Sequence, residues 1–283
     1  MSAIADRLRF QLAILMLLPG LLCAMEPGDT ALEVSVCGLQ EPVMFWLWSS
    51  MAGNPDAGRL AGLQHVEDIA FETRDGRWLR GYRLKATDTD GLPVAPKGYL
   101  LVIQGNAILA DRILAAFAPF ASAGLDVYVY DFRGYGRSGG RRRLKAIVSD
   151  YAEITAALDA ADYEQHLVYA MSFGGIALLD GLALHGRLDR VVIDSTPARL
   201  STYGCPQEYD PVEHLPADAR NFLVIAGGND RVVTPGMSRE LLETAGARGA
   251  GVFRDEAFAH PFMDADRSVH RRRMQVIREF LLR

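Results

Sequence analysis

The sequence predicts an α/β fold: a mostly parallel central sheet covered by helices on both faces, with antiparallel strands at its N-terminal edge. Two observations carry this. Short, fully apolar runs such as residues 99–103 and 222–226 lack the polar alternation of a half-solvated strand, and helical stretches follow them. Residues 66–73 and 78–84 flank Arg74-Asp75-Gly76-Arg77, which reads as a β-hairpin with a glycine turn.

With 283 residues the chain can build one large domain or two small ones around a sizeable core. A hydrophobic fraction of 49% and a charged fraction of 23% exclude a disordered or collagen-like chain. The net charge of −5 gives no basic excess, so no nucleic-acid partner is expected. Three cysteines, Cys23, Cys37 and Cys205, form no CxxC pair, and no metal or other cofactor is expected.

At the N-terminus, Arg7 and Arg9 precede an uncharged stretch at residues 10–25 that is rich in Leu, Ile, Met and Ala. Residues 1–25 therefore read as a signal peptide or membrane anchor, which places the body in an exported or membrane-anchored location. The stretch is short for a transmembrane helix. If it is removed, Cys37 and Cys205 remain; they either pair in an oxidising compartment or stay as two free thiols. Residues 26–65 form an N-terminal extension. Within it, Phe45-Trp46-Leu47-Trp48 is either a segment packed on the core or an interfacial element, because Trp favours the headgroup level of a bilayer.

Residues 66–283 form the main domain. After the hairpin come strands at residues 99–103, 125–130, 167–170, 191–193, 222–226 and 251–254. Helices are expected at residues 108–121, 146–160, 174–184, near 237–244, and at 264–282. The stretch between residues 193 and 222 is short and holds Pro197, Pro206, Pro211 and Pro216, so only a minimal cap is expected.

In such sheets the chemistry sits just beyond the carboxyl ends of the strands. After residues 167–170 comes Met171-Ser172-Phe173-Gly174-Gly175, a serine between small residues at a strand-to-helix turn. After residues 222–226 comes Gly227-Gly228-Asn229-Asp230, and after residues 251–254 comes Phe258-Ala259-His260. Ser172, Asp230 and His260 are the candidate nucleophile, acid and base. Serine needs an adjacent base to become a nucleophile, imidazole can take and return the proton, and a carboxylate fixes its tautomer. Asp194, which also follows a strand, is the rival acid, and His214 the rival base. The loop Gln104-Gly105-Asn106-Ala107 is the candidate second wall of an oxyanion hole, with the N–H groups of Asn106 and Phe173 as donors. Arg141-Arg142-Arg143 reads as a solvated face or as a site beside an anionic headgroup or acidic substrate.

The chain resembles the α/β-hydrolase superfamily of serine hydrolases. It is most similar to the subgroup of monoacylglycerol-lipase-like, palmitoyl-protein-thioesterase-like and serine-aminopeptidase-type lipases. The resemblance rests on Gln104-Gly105-Asn106-Ala107, Tyr130-Asp131-Phe132-Arg133-Gly134-Tyr135-Gly136-Arg137-Ser138, Met171-Ser172-Phe173-Gly174-Gly175 and the Asp230 and His260 loops. The family usually has His at Gln104 and Gly at Ala170 and Ala259. The resemblance implies the α/β-hydrolase fold and a serine hydrolase of a small-molecule carboxylic ester or thioester, acyl-ester or lipid in type; membrane association is an expectation from the N-terminal segment alone. A peptidase or amidase on the same triad, or a non-catalytic binding protein of this shape, are the alternatives.

Overall fold

The computed structural model describes residues 30–181 and 187–283. The expected signal or anchor at residues 1–25, and the end of the helix expected at 174–184, lie outside the described residues. Among the described residues no helix is long and apolar enough to cross a membrane.

The described elements run in order: α1 (Gln40–Ala52), β1 (Val66–Glu72), β2 (Trp78–Leu84), β3 (Gly98–Ile103), α2 (Ala110–Ile113), α3 (Ala118–Ala121), β4 (Leu125–Tyr130), α4 (Leu144–Asp159), β5 (Gln165–Met171), α5 (Phe173–Asp180), β6 (Arg190–Asp194), α6 (Pro211–His214), β7 (Phe222–Gly227), α7 (Pro235–Ala247), β8 (Gly251–Asp255) and α8 (Arg267–Leu281). Eight strands form one sheet in the order β1-β2-β4-β3-β5-β6-β7-β8. β1–β2 and β2–β4 pair antiparallel, and every later pairing is parallel. This is the expected architecture, with its antiparallel edge at the N-terminal side.

Alternation within the apolar strands sends side chains to opposite faces. Leu101, Ile103 and Val168 pack on one side with Ile147 of α4 and Ile176 of α5. Leu100, Val102 and Tyr169 pack on the other with Phe117, Phe120 and, from α8, Ile277. Because both faces are covered, β3 and β4 are buried along their whole length. Burying each large aliphatic contributes about 1.5–3 kcal/mol, which makes this pair of strands the anchor for the loops that leave them.

The helix expected at residues 108–121 is broken. A 3₁₀ turn, Leu114–Phe117, separates α2 from α3, and Pro119 sits in the first turn of α3. Proline has no N–H to continue a helix and is tolerated at such a start. Between β6 and β7 the chain makes two 3₁₀ turns, Ser201–Tyr203 and Gln207–Tyr209, and the one-turn α6, which is the minimal cap that the prolines suggest.

Residues 30–65 pack onto the carboxyl ends of the strands. Cys37 and Cys205 form a disulfide that ties the extension to the loop after β6. Glu41, buried at the start of α1, accepts the Leu144 N–H at 2.8 Å and the N–H groups of Val36 and Cys37 at 2.7 and 2.8 Å. Phe45 meets Phe173 edge to face at 5.3 Å. Beyond α1, Arg59 pairs with the buried Asp111 of α2 at 2.9 Å. The Phe45–Trp48 cluster is therefore part of a helix, a reading the sequence did not offer.

The loop after β4 is held by Arg133, which is fully buried. It pairs with Asp75 at 2.6 Å, Asp150 at 2.5 Å and Glu33 at 3.2 Å. One guanidinium thus joins the β1–β2 turn, α4 and the extension, and holds the Asp75 carboxyl well below its usual range against the opposing push of burial. The three arginines 141–143 are half-buried, with Arg142 reaching Ser49 of α1, so they pack against the extension rather than standing free in water.

Candidate active site

Ser172 is the residue between β5 and α5, with φ 54° and ψ −120°. A non-glycine residue at such a φ costs about 1–3 kcal/mol and persists only where its surroundings impose it. Here they do. The Ser172 N–H donates to the Asp194 carbonyl at 2.8 Å, and its own carbonyl accepts from Gly175 N–H at 3.0 Å and Thr196 Oγ1 at 3.1 Å. A Cβ on Gly174 would collide with the carbonyl oxygens of Ile103 and Gln104. That close approach is why a residue without a side chain stands two places after the serine.

The same packing brings the Gln104–Ala107 loop to the serine. A Cβ on Gly105 would lie 3.2 Å from Ser172 Cβ and 3.7 Å from its Oγ. Gln104 is fully buried, Asn106 Oδ1 accepts the Tyr135 hydroxyl at 3.0 Å, and Ala107 adopts φ 61°. The loop that follows β3 and carries Asn106 thus comes up to Ser172 at Gly105, and Phe173 is the next residue along the chain, at the start of α5.

Asp230 and His260 meet as expected from the sequence. His260 Nδ1 lies 2.8 Å from Asp230 Oδ2. A carboxylate only accepts, so this contact fixes the proton on Nδ1. Asp230 Oδ1 accepts the N–H groups of Val232 and Val233 at 2.8 and 2.9 Å. Burial pushes the Asp230 carboxyl up, but the His260 ring and these two N–H groups outweigh it and hold it below its ordinary value. The two loops are stitched together by Gly228 N–H to Asp255 carbonyl at 2.9 Å and Asn229 N–H to Phe258 carbonyl at 3.0 Å. All three candidate residues follow strands at the same edge of the sheet.

The rivals have other tasks. Asp194 is fully buried and receives Arg273 Nη1 at 2.8 Å, the Tyr169 hydroxyl at 3.0 Å and Ser195 Oγ at 3.2 Å. His214 Nε2 meets the Glu208 carbonyl at 2.8 Å. Sequence reasoning missed Arg273, which is 1% exposed. Its other nitrogen, Nη2, reaches the carbonyl of Ala259, the residue before His260, and its guanidinium carbon lies 4.4 Å from the Phe258 ring centroid. Asp264 stands 3.6 Å from Arg273 Nε and accepts the Ala259 N–H at 2.8 Å. Asp194, Arg273 and Asp264 together clamp the loop that carries His260. The signal was present: Arg273 shares the helical phase of Ile277, Phe280 and Leu281, the buried stripe of α8.

The sheet order, with the candidate residues on loops at the carboxyl ends of the parallel strands, is that of the α/β-hydrolase fold. Residues 94–215 match the family described as serine aminopeptidase, S33. An uncharacterized protein of Mycobacterium tuberculosis is 27% identical over 226 residues, covering 72% of this chain and 78% of that one. The monoacylglycerol lipase of Mycolicibacterium smegmatis is 32% identical over 123 residues, covering 41% of this chain and 42% of the lipase. Among solved structures, an esterase of Pyrococcus furiosus superposes with a TM-score of 0.61 at 17% identity, over 82% of this chain and 96% of that one. A lidless serine hydrolase of Xanthomonas campestris does so with a TM-score of 0.52 at 19% identity, over 77% and 92%. The chain has the α/β-hydrolase fold, and residues 94–215 are similar to the serine aminopeptidase, S33, family.

Proposed function

We propose that the chain is a serine esterase that hydrolyses a small-molecule carboxylic ester or thioester, lipid or acyl-ester in type, through an acyl-enzyme on Ser172. The observation that carries this reading is the 2.8 Å contact of His260 Nδ1 with Asp230, on loops at the same carboxyl end of the sheet as a serine held at φ 54°. With Nδ1 protonated, Nε2 is the basic nitrogen. It takes the Ser172 proton as Oγ attacks the carbonyl carbon, and the Asp230 carboxylate stabilises the imidazolium. The oxyanion is received by the Asn106 and Phe173 N–H groups, and each such donor is worth about 2.7–4 kcal/mol in the transition state. The leaving alcohol or thiol departs with the proton from His260. Water then repeats the sequence on the acyl-serine, releasing the acid and restoring the serine.

Cleavage of an amide is the second reading, favoured by the match of residues 94–215 to a family described as serine aminopeptidase. The leaving group is not set by the fold. The disulfide between Cys37 and Cys205, and the Arg7/Arg9 and apolar 10–25 pattern, support action outside the cytoplasm or at its membrane.

The test is a matched series of p-nitrophenyl esters, thioesters and aminoacyl anilides offered to the wild type and to Ser172→Ala. The reading expects ester or thioester turnover that the variant loses. Anilide turnover alone would favour the peptidase, and turnover unchanged by the variant would remove Ser172 from the chemistry.

A further inference from the structure

Helix α1 carries its large apolar residues on two opposite sides. At 100° per residue, Glu41, Phe45, Trp48 and Ala52 fall on one side, and that side packs on the domain. Leu39, Val43, Met44, Trp46, Leu47 and Met51 lie on the remaining arc, together with the uncharged Gln40 and Ser50, and all six apolar residues are exposed, Trp46 at 63% and Met51 at 66%. Glu41, which is buried, is the one ionisable residue between Leu39 and Ala52, so this outer face has no charge. A contiguous apolar face of this size on a soluble domain marks an interaction site.

The face is rigid and oriented. The Cys37–Cys205 disulfide secures the chain before the helix, and the Arg59–Asp111 pair secures it after. Phe45 on the inner side touches Phe173, the neighbour of Ser172. The outer side therefore looks away from the sheet at the end that carries Ser172, Asp230 and His260. Trp78, at the start of β2, and Met263, on the His260 loop, are also exposed at this end.

The sequence outside the described residues indicates what meets this face. The uncharged apolar run of residues 10–25 ends five residues before Thr30. Thr30 Oγ1 donates to Asp75 in the β1–β2 turn at 2.6 Å, and this turn lies at the same end of the sheet, because β2 runs antiparallel to β4. Five residues span at most about 17 Å. Thr30, from which the run is five residues distant, therefore stands at the end of the sheet on which α1 packs. Read as an anchor, an apolar run of this kind would hold that end of the domain at a bilayer.

We propose that the outer face of α1 docks on a phospholipid bilayer, lying in its plane with Trp46, Leu47 and Met51 among the acyl chains, so that the catalytic end of the sheet faces the membrane. The binding is apolar in origin and does not require anionic lipid. The proposal is independent of the bond that Ser172 attacks.

The test uses the full chain with Trp48→Phe and Trp78→Phe, which leaves Trp46 as its one tryptophan. Vesicles of phosphatidylcholine brominated on the acyl chain are added. The expected result is a blue shift and strong quenching of Trp46, unchanged by added salt. In the same single-tryptophan chain, Leu47→Glu with Met51→Glu abolishes the blue shift and quenching of Trp46, with an unchanged unfolding midpoint because both side chains are exposed. Vesicle binding with Trp46 unquenched overturns the proposal, since the bilayer then grips elsewhere. Trp46 shielded before vesicles are added also overturns it. Shielding that disappears on dilution assigns the face to a second copy, and shielding that persists assigns it to residues 10–25 of the same chain.

Discussion

Asp194→Asn and Asp230→Asn separate the candidate acid from its rival, Asp194 ending β6 and Asp230 lying in the loop beyond β7. In Asp194→Asn the volume is kept but the charge facing Arg273 is lost. Removing one partner of a buried ion pair costs about 3–5 kcal/mol. Arg273 retains Asp264 at 3.6 Å, which puts the cost at the lower end, about 3 kcal/mol. For a domain of this size each kcal/mol lowers Tm by about 2–4 °C, so the expected drop is about 6–12 °C. In Asp230→Asn the amide oxygen still accepts the Val232 and Val233 N–H groups, and the loss is about one hydrogen bond, roughly 1 kcal/mol. Its NH₂ now faces His260 Nδ1 and drives the proton to Nε2, the nitrogen that must accept from serine. The expected fall in kcat is roughly 10⁴-fold. Circular-dichroism melts and kcat on one p-nitrophenyl ester read both effects. The reasoning is refuted if Asp194→Asn is inactive at an unchanged Tm while Asp230→Asn turns over like the wild type.

Three further outcomes are expected. Reduction of the Cys37–Cys205 bond, or Cys205→Ser, should destabilise the chain; the 168-residue separation gives about 5 kcal/mol by loop entropy as an upper figure, and a melt unmoved by reductant would contradict it. Burial pushes the Asp131 carboxyl up to about 6, against the Ala110 N–H that it accepts at 2.8 Å. The folded state therefore holds that proton more tightly than the unfolded chain, and stability is lost as pH rises from about 4 through 6, by about 3 kcal/mol in all; Asp131→Asn should raise the unfolding midpoint at pH 8 more than at pH 4, and equal effects at both would refute the assignment. Gly174→Ala should cost about 1–3 kcal/mol of stability by overpacking and displace the Gln104–Ala107 loop, seen as a fall in kcat; an unaltered melt and rate would show that the close approach to Ile103 and Gln104 is not required.

The parallel strands were legible because burial on both faces leaves an unmixed apolar run, as in residues 222–226, and the site was legible because its residues stand directly after such runs. Helix α1 was not, since apolar side chains on both its buried and its exposed sides erase the 3.6-residue period that marks an amphipathic helix. Arg273 was hidden among Arg267, Arg271, Arg272 and Arg278, where composition suggests a solvated face and only its phase with Ile277 and Phe280 points inward. Pairing of Cys37 with Cys205 depends on the extension folding back over the sheet, which no local pattern encodes.

The central claim is that Ser172 is the nucleophile of a hydrolase. Incubating the protein with a fluorophosphonate and mapping the adduct by peptide mass spectrometry tests it directly. The account predicts one adduct, on the peptide containing Ser172, lost in Ser172→Ala while the melt is retained. A protein that takes no adduct, or a Ser172→Ala variant labelled as strongly as the wild type, would contradict it.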